Sequence, residues 1–256
     1  MTDKLILKLN GKVAELVLNH PKRRNALNLE MWSAIPGRIA KVEASDARSL
    51  IIHGGEVGHF AAGADISEFQ TKWGTAESAG AAAQALADAT SSIEHCAIPT
   101  IAVIEKSCMG AGLSVATAAD IRIIAEGAKI GLPPAKLGAS YPFEDLRRLV
   151  DIIGLAPTRD LMLTARVIEA DEAMQLGLAT RWAGQGKAFS TALELADQMA
   201  HLSPWSQRTA KTQLSRIGAG QRTETPDMRA LQVEGFLNPD FVEGYTAFLE
   251  KRKPTF

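Results

Sequence analysis

Cys108-Met109-Gly110-Ala111-Gly112-Leu113-Ser114 is the stretch on which the fold turns. It follows an apolar run at residues 100–104 and precedes another at 115–119. That order predicts a buried strand, a loop of small residues and the start of a helix. Small residues let a ligand approach bare backbone. The first N–H groups of a helix have no partner inside it, and the helix dipole adds positive potential there. An anion or a developing oxyanion fits such a place. Taken alone, the same spacing also describes a tight turn whose small residues serve packing.

A second small-residue loop stands upstream. Residues 50–52 form a short apolar run followed by His53-Gly54-Gly55, and soon after comes Phe60-Ala61-Ala62-Gly63-Ala64-Asp65-Ile66. Two N–H donors from two such loops can serve one oxygen, as a thioester carbonyl requires when it becomes an enolate.

Composition narrows the classes. The 256 residues suffice for one large domain or one domain with an appendage, with 46% hydrophobic and 22% charged residues as in globular proteins. The net charge of -1 gives no global field favouring nucleic acid or an acidic membrane. Cys96 and Cys108 form no disulfide framework and no metal-ligand spacing. His53 and His59 flank Glu56 without completing a zinc pattern, so no metal is expected. The first ten residues carry charges and lack the apolar core of a secretory signal. No apolar run is long enough to span a bilayer. The expectation is a cytoplasmic protein with neither nucleic-acid nor membrane partners.

Residues 5–9 and 13–18 are apolar-rich runs around Asn10-Gly11, which predicts a hairpin with a type I′ turn. A polar, basic loop at 20–28 leads to a helix near 29–42, which Pro36 and Gly37 interrupt or kink. A strand at 50–52, a helix at 80–94, a strand at 100–104, a short helix at 112–119 and a strand at 121–125 follow. This alternation predicts stacked β–α units with parallel strands, an α/β fold. From Phe143 onward helical patterns dominate, with Pro157 and Pro204 at first helical positions. The division expected is a β/α core over 1–200 and a helical region over 201–256.

These residues resemble the crotonase, or enoyl-CoA hydratase/isomerase, superfamily along nearly the whole chain. His20-Pro21-Lys22-Arg23-Arg24-Asn25-Ala26-Leu27 resembles its CoA-binding loop. Ala61-Ala62-Gly63-Ala64-Asp65-Ile66 resembles its first oxyanion loop, and Gly110-Ala111-Gly112 with Ala119-Asp120-Ile121 its second. Ala170-Asp171-Glu172-Ala173 and Gly177-Leu178 resemble a later helix and turn of the family, and Phe248-Leu249-Glu250-Lys251-Arg252 resembles its C-terminal CoA-contacting helix. The resemblance implies a spiral of β–β–α turns with a helical C-terminal region, assembled as a homotrimer or a dimer of trimers. It implies acyl-CoA thioester substrates, with CoA carried by the substrate and no separate cofactor. It assigns the oxyanion hole to the backbone N–H groups of Ala64 and Ala111. Lys22, Arg24, Ala26, Ala62, Asp65 and Ile66 would line the CoA path, and Phe248 and Lys251 would meet the adenine end, from a neighbouring subunit. Without the motif, Lys22 and Arg24 read as solvated charges and Phe248 as a packing residue.

The pattern breaks at the catalytic carboxylates. Family hydratases commonly use two glutamates, and those positions fall on Ser114 and Pro134. Serine is a poor base without a partner, and proline offers none. Tyr141, which aligns with a tyrosine of decarboxylases in the superfamily, and Glu144 are the candidate replacements. Glu144 and Asp145 are adjacent, so a helix points them about 100° apart and one ligand does not meet both. The leading expectation is enoyl-CoA hydratase/isomerase chemistry through a thioester enolate. The alternatives are decarboxylation of a malonyl-type thioester, which needs no base to form the enolate, and a non-catalytic acyl-CoA-binding protein. Gly112-Leu113-Ser114-Val115-Ala116 falls one residue short of a hydrolase nucleophile elbow. No histidine follows His201 to complete a triad.

Overall fold

A computed structural model describes residues 2–256. Nine strands form two sheets among the described residues: β1 (Leu5–Asn10), β2 (Val13–Leu18), β3 (Ser49–His53), β4 (Thr100–Ile104), β5 (Ser107–Met109), β6 (Ile121–Ala125), β7 (Lys129–Gly131), β8 (Val167–Glu169) and β9 (Arg181–Ala183). The larger sheet runs β1-β2-β3-β4-β6-β9, and the smaller runs β5-β7-β8. From β2 to β9 the larger sheet is parallel, and β1 joins it antiparallel. β3 and β4 are buried along their whole length, which explains their unbroken apolar character: a parallel strand is covered on both faces.

The helices are α1 (Leu29–Glu43), α2 (Phe69–Lys72), α3 (Ala76–Glu94), α4 (Ala111–Ala118), α5 (Pro134–Leu137) and α6 (Phe143–Ile153), then α7 (Leu155–Thr164), α8 (Ala170–Gln175) and α9 (Ala188–Ala200), and finally α10 (Pro204–Gly218), α11 (Pro226–Gly235) and α12 (Pro239–Leu249). One face of the larger sheet presents Leu16, Leu50, Ile52 and Ala102 to a core shared with Trp32 of α1, Leu86 of α3 and Leu113 of α4. The other presents Ile51, Ile101, Val103 and Ile123 to Ala192, Leu195 and Ala196 of α9. The alternation of residues 50, 51 and 52 between these cores is the period-two geometry of a strand. The fold is the α/β spiral that the resemblance implies, with two sheets and C-terminal helices.

Local expectations need amendment in four places, the first being Pro157, which is the third residue of α7 and not its first. The register pairs Asn10 with Val13, so the hairpin turn is Gly11-Lys12, with only Gly11 at positive φ (61°). That excludes the expected type I′ turn, which needs positive φ at both central residues. Helix α1 continues through Pro36 without ending there. Strands β5, β7, β8 and β9 are three residues each, too short to leave a periodic signal. Among the described residues no helix is long and apolar enough to cross a membrane.

Candidate active site

The two small-residue loops meet. Phe60 N donates to Ser107 O, and Met109 N donates to Ala61 O at 2.9 Å, which lays the first loop along β5. A Cβ on Gly112 would stand 2.7 Å from the Ala61 Cβ, so only glycine lets the first turn of α4 sit this close. Gly63 (φ 110°) and Gly110 (φ 48°) both adopt backbone that favours glycine. They face one another: a Cβ on Gly63 would be 3.4 Å from Met109 O, and one on Gly110 would be 3.9 Å from the Gly63 Cα.

The next residue after each glycine carries the candidate donor. Among the described residues, neither Ala64 N nor Ala111 N donates to a backbone or side-chain acceptor. Both residues are half-buried. Ala111 opens α4, where the helix leaves its first N–H groups unpaired. At the far end of α4, buried Arg122 donates to the carbonyls of Ala116 (3.3 Å) and Ala119 (2.6 Å). The helix is thus satisfied at one end and open at the other. Burial lowers the Arg122 pKa to about 10, against the pull of Asp120, so it remains charged at neutral pH.

The basic loop is strapped to the first small-residue loop. Ala62 N donates to Arg24 O, Leu27 N to Gly63 O and Asp65 N to Leu27 O. Asn25, fully buried at φ 59°, donates through Nδ2 to Gly54 O (2.8 Å) and His59 O (2.7 Å) and accepts from His20 N. Lys22 and Arg24 are exposed and, among the described residues, free of ion pairs, as phosphate contacts would need. Ala26 is buried, whereas Ala62 and Ile66 are exposed beside the strap. The Asp65 carboxylate is occupied: it accepts from Ser67 N (3.1 Å) and Ser67 Oγ (2.6 Å). Burial pushes its pKa up, but those bonds outweigh it and the net shift is downward.

Ser114 is fully buried on α4, and its Oγ lies 2.8 Å from Tyr141 Oη. Tyr141 Oη also donates to Gly110 O at 3.2 Å. Glu144 points away, 59% exposed and paired with Arg147 at 2.8 Å. Its neighbour Asp145 is the buried carboxyl. Asp145 Oδ1 accepts from Arg148 at 2.6 Å, while Oδ2 is buried without a hydrogen-bond partner. Burial raises the Asp145 pKa, partly offset by Arg148 and by the nearby Ser114 hydroxyl, whose direct bond goes to Tyr141. Arg147 and Arg148 also grip Glu94 at the end of α3, so neither guanidinium is open to a substrate carboxylate. Pro134 starts α5 with its carbonyl accepting from Ala139 N. Phe248 and Lys251 stand at the end of α12, with Phe248 81% exposed and no hydrogen bond from either to the two loops. Cys108 is fully buried, which holds its thiol protonated. Among the described residues no group of three or more metal-ligating side chains occurs.

A family profile described as enoyl-CoA hydratase/isomerase matches residues 8–256. The short-chain-enoyl-CoA hydratase of Clostridium acetobutylicum is 31% identical over 98% of this chain and 96% of its own length. The crotonyl-CoA hydratase of Syntrophomonas wolfei is 32% identical over 99% of this chain and 98% of its own. A crystal structure of an enoyl-CoA hydratase/isomerase family protein from Hyphomonas neptunium superposes with a TM-score of 0.96, at 45% identity over 99% of this chain and 97% of that one. A structure of an enoyl-CoA hydratase/carnithine racemase from Magnetospirillum magneticum gives 0.95 at 30% identity, covering 100% and 96%.

Proposed function

The chain belongs to the enoyl-CoA hydratase/isomerase family, and from that premise we propose that it stabilises a thioester enolate between the N–H groups of Ala64 and Ala111. One observation carries the reading: two unpartnered backbone donors follow directly on two glycines packed face to face. Donors fixed by a backbone bridge to Leu27 and by the start of a helix need no reorganisation as charge develops on the thioester oxygen. Lys22 and Arg24 hold the CoA phosphates, and Ala26, Ala62, Asp65 and Ile66 form the wall beside them, Asp65 by shaping the turn. Phe248 and Lys251 meet the adenine end of a neighbouring subunit's CoA. Exposed apolar residues of the C-terminal region, among them Leu214 and Phe241 on helices and Phe236 and Leu237 in the turn between α11 and α12, support a trimer that covers them.

The activity that leads is hydration or isomerisation of an enoyl-CoA, and two named relatives are enoyl-CoA hydratases. A second reading rests on one feature of the site. The usual carboxylate positions hold Ser114 and Pro134, Glu144 faces solvent, and Asp145 is tied through Oδ1 to Arg148. Decarboxylation of a malonyl-type thioester suits that arrangement, because loss of CO2 yields the enolate without a base. The test is consumption of crotonyl-CoA, followed by loss of enoyl-thioester absorbance, beside CO2 release from methylmalonyl-CoA. Loss of the absorbance supports hydration. CO2 release without it moves the assignment to decarboxylase, and neither, in protein that binds CoA, leaves an acyl-CoA-binding protein.

A further inference from the structure

We infer that Tyr141 is a positioning residue that fixes and strengthens the Ala111 N–H donor by hydrogen bonding to the opposite end of the same peptide group. The inference rests on the proposed role of Ala111. The Gly110 carbonyl and the Ala111 N–H belong to one planar unit, so a bond to the oxygen acts directly on the proton at the other end. Tyr141 Oη donates to that oxygen at 3.2 Å. Hydrogen bonds in series polarise one another inside a protein.

Three features distinguish this role from proton transfer to substrate. First, the Tyr141 proton is already engaged on backbone. The 2.8 Å contact to Ser114 Oγ admits either hydroxyl as donor; with the Tyr141 proton on Gly110 O, Ser114 donates and Tyr141 accepts. The pair therefore forms a directed chain from Ser114 through Tyr141 to Gly110. Second, Gly110 is held by backbone and has no side-chain cap: it precedes α4 at φ 48° and ψ −119°, and its N donates to Gly131 O at 2.8 Å. Its carbonyl accepts from Leu113 N (2.8 Å) and Ser114 N (3.4 Å), and Tyr141 adds a third bond from outside the helix. Third, the phenol keeps its proton. Burial, with Asp145 adding to it, pushes the Tyr141 pKa well above its ordinary value, although the Ser114 bond opposes the shift. A tyrosine that stays neutral can donate to the carbonyl and is no base.

Serine in place of a carboxylate at 114 then has a use. A glutamate there would bring a charge beside the Gly110 carbonyl, whereas the hydroxyl completes the chain.

The experiment is infrared difference spectroscopy of acetyl-CoA labelled with 13C at the thioester carbonyl, bound to saturation as established by calorimetry. The wild-type protein is expected to lower the carbonyl stretch relative to free acetyl-CoA. In Tyr141→Phe that displacement should shrink by roughly 10–30%, the scale of cooperative strengthening by one bond, or by more if the Gly110 peptide rotates. Turnover should fall in kcat at little changed KM. The two tyrosines of the chain are Tyr141 and Tyr245. Global incorporation of 3-fluorotyrosine into Tyr245→Phe protein therefore places a more acidic phenol at 141 alone, without removing any contact. It should enlarge the displacement. An unchanged displacement in both proteins overturns the inference while leaving the oxyanion hole standing. No displacement in the wild type, or no saturable acetyl-CoA binding, overturns the oxyanion reading itself and the inference with it.

Discussion

Gly63 and Gly110 face one another so closely that a Cβ on Gly110 would lie 3.9 Å from the Gly63 Cα, and each precedes an unpartnered N–H. This contact joins two loops that are 47 residues apart in sequence (110 − 63). Strand pairing and helix packing hold it: Met109 N donates to Ala61 O, and Gly112 leaves Ala61 room.

Gly112→Ala is the smallest change that should disturb it. The added methyl would meet Ala61 Cβ at 2.7 Å and Ala61 O at 3.0 Å, and neither atom belongs to a flexible side-chain end. Helix α4 must back away, at a cost of about 1–3 kcal/mol typical of overpacking. Thermal unfolding should show that loss. Turnover should fall further than CoA affinity, because the donors separate while the basic loop stays in place.

Asn25 should prove a stability residue. Its amide bridges the carbonyls of Gly54 and His59, and the residue is fully buried. Asn25→Asp exchanges that donor for an acceptor facing two carbonyls. Leaving buried groups unsatisfied costs about 1–3 kcal/mol each. Chemical denaturation should register at least one such penalty, and an unchanged midpoint would refute the clamp.

His53 gives the fold a slope with pH. Its Nδ1 accepts from Gly55 N at 3.2 Å, a bond open only to the neutral ring, and the ring packs on Phe189 with centroids 4.5 Å apart. Burial lowers its pKa from the ordinary 6.5, outweighing the opposing pull of Glu15, 3.3 Å from Nε2. The unfolded chain therefore binds more protons between the lowered value and 6.5. Stability should be full above that window and should fall as pH drops through it. Comparison of denaturation midpoints at about pH 7.5 and 5.5 should show a larger loss in wild type than in His53→Gln.

The parts of this molecule that were legible in its sequence are the local ones. Residues 100–114 announce a buried strand, a small-residue loop and a helix because apolar runs and glycines act over short spans. The three-residue strands of the smaller sheet leave no period to read. The phase of α6 is likewise hidden. Whether Glu144 or Asp145 turns inward depends on Glu94, which sits 51 residues before Asp145 (145 − 94) and draws Arg147 and Arg148 to it. Asn25 stands in a loop whose basic residues drew notice, but its partners at 54 and 59 come near only in the fold. The bond from Tyr141 to Gly110 is of the same kind, a contact between a loop and a peptide carbonyl that no spacing foretells.

The central claim is that Ala64 and Ala111 present their N–H groups to the oxygen of an enolate. The most direct measurement is the affinity of a CoA thioether bearing a nitronate, which copies the charge and oxygen of the enolate, for wild type and for Ala111→Pro. Proline removes one donor at the first position of α4, where a helix tolerates it. The account expects the nitronate to bind the variant about 100-fold or more weakly, the scale of one oxyanion donor, while CoA binds both proteins alike. Equal affinity of a folded Ala111→Pro protein for the nitronate would contradict it.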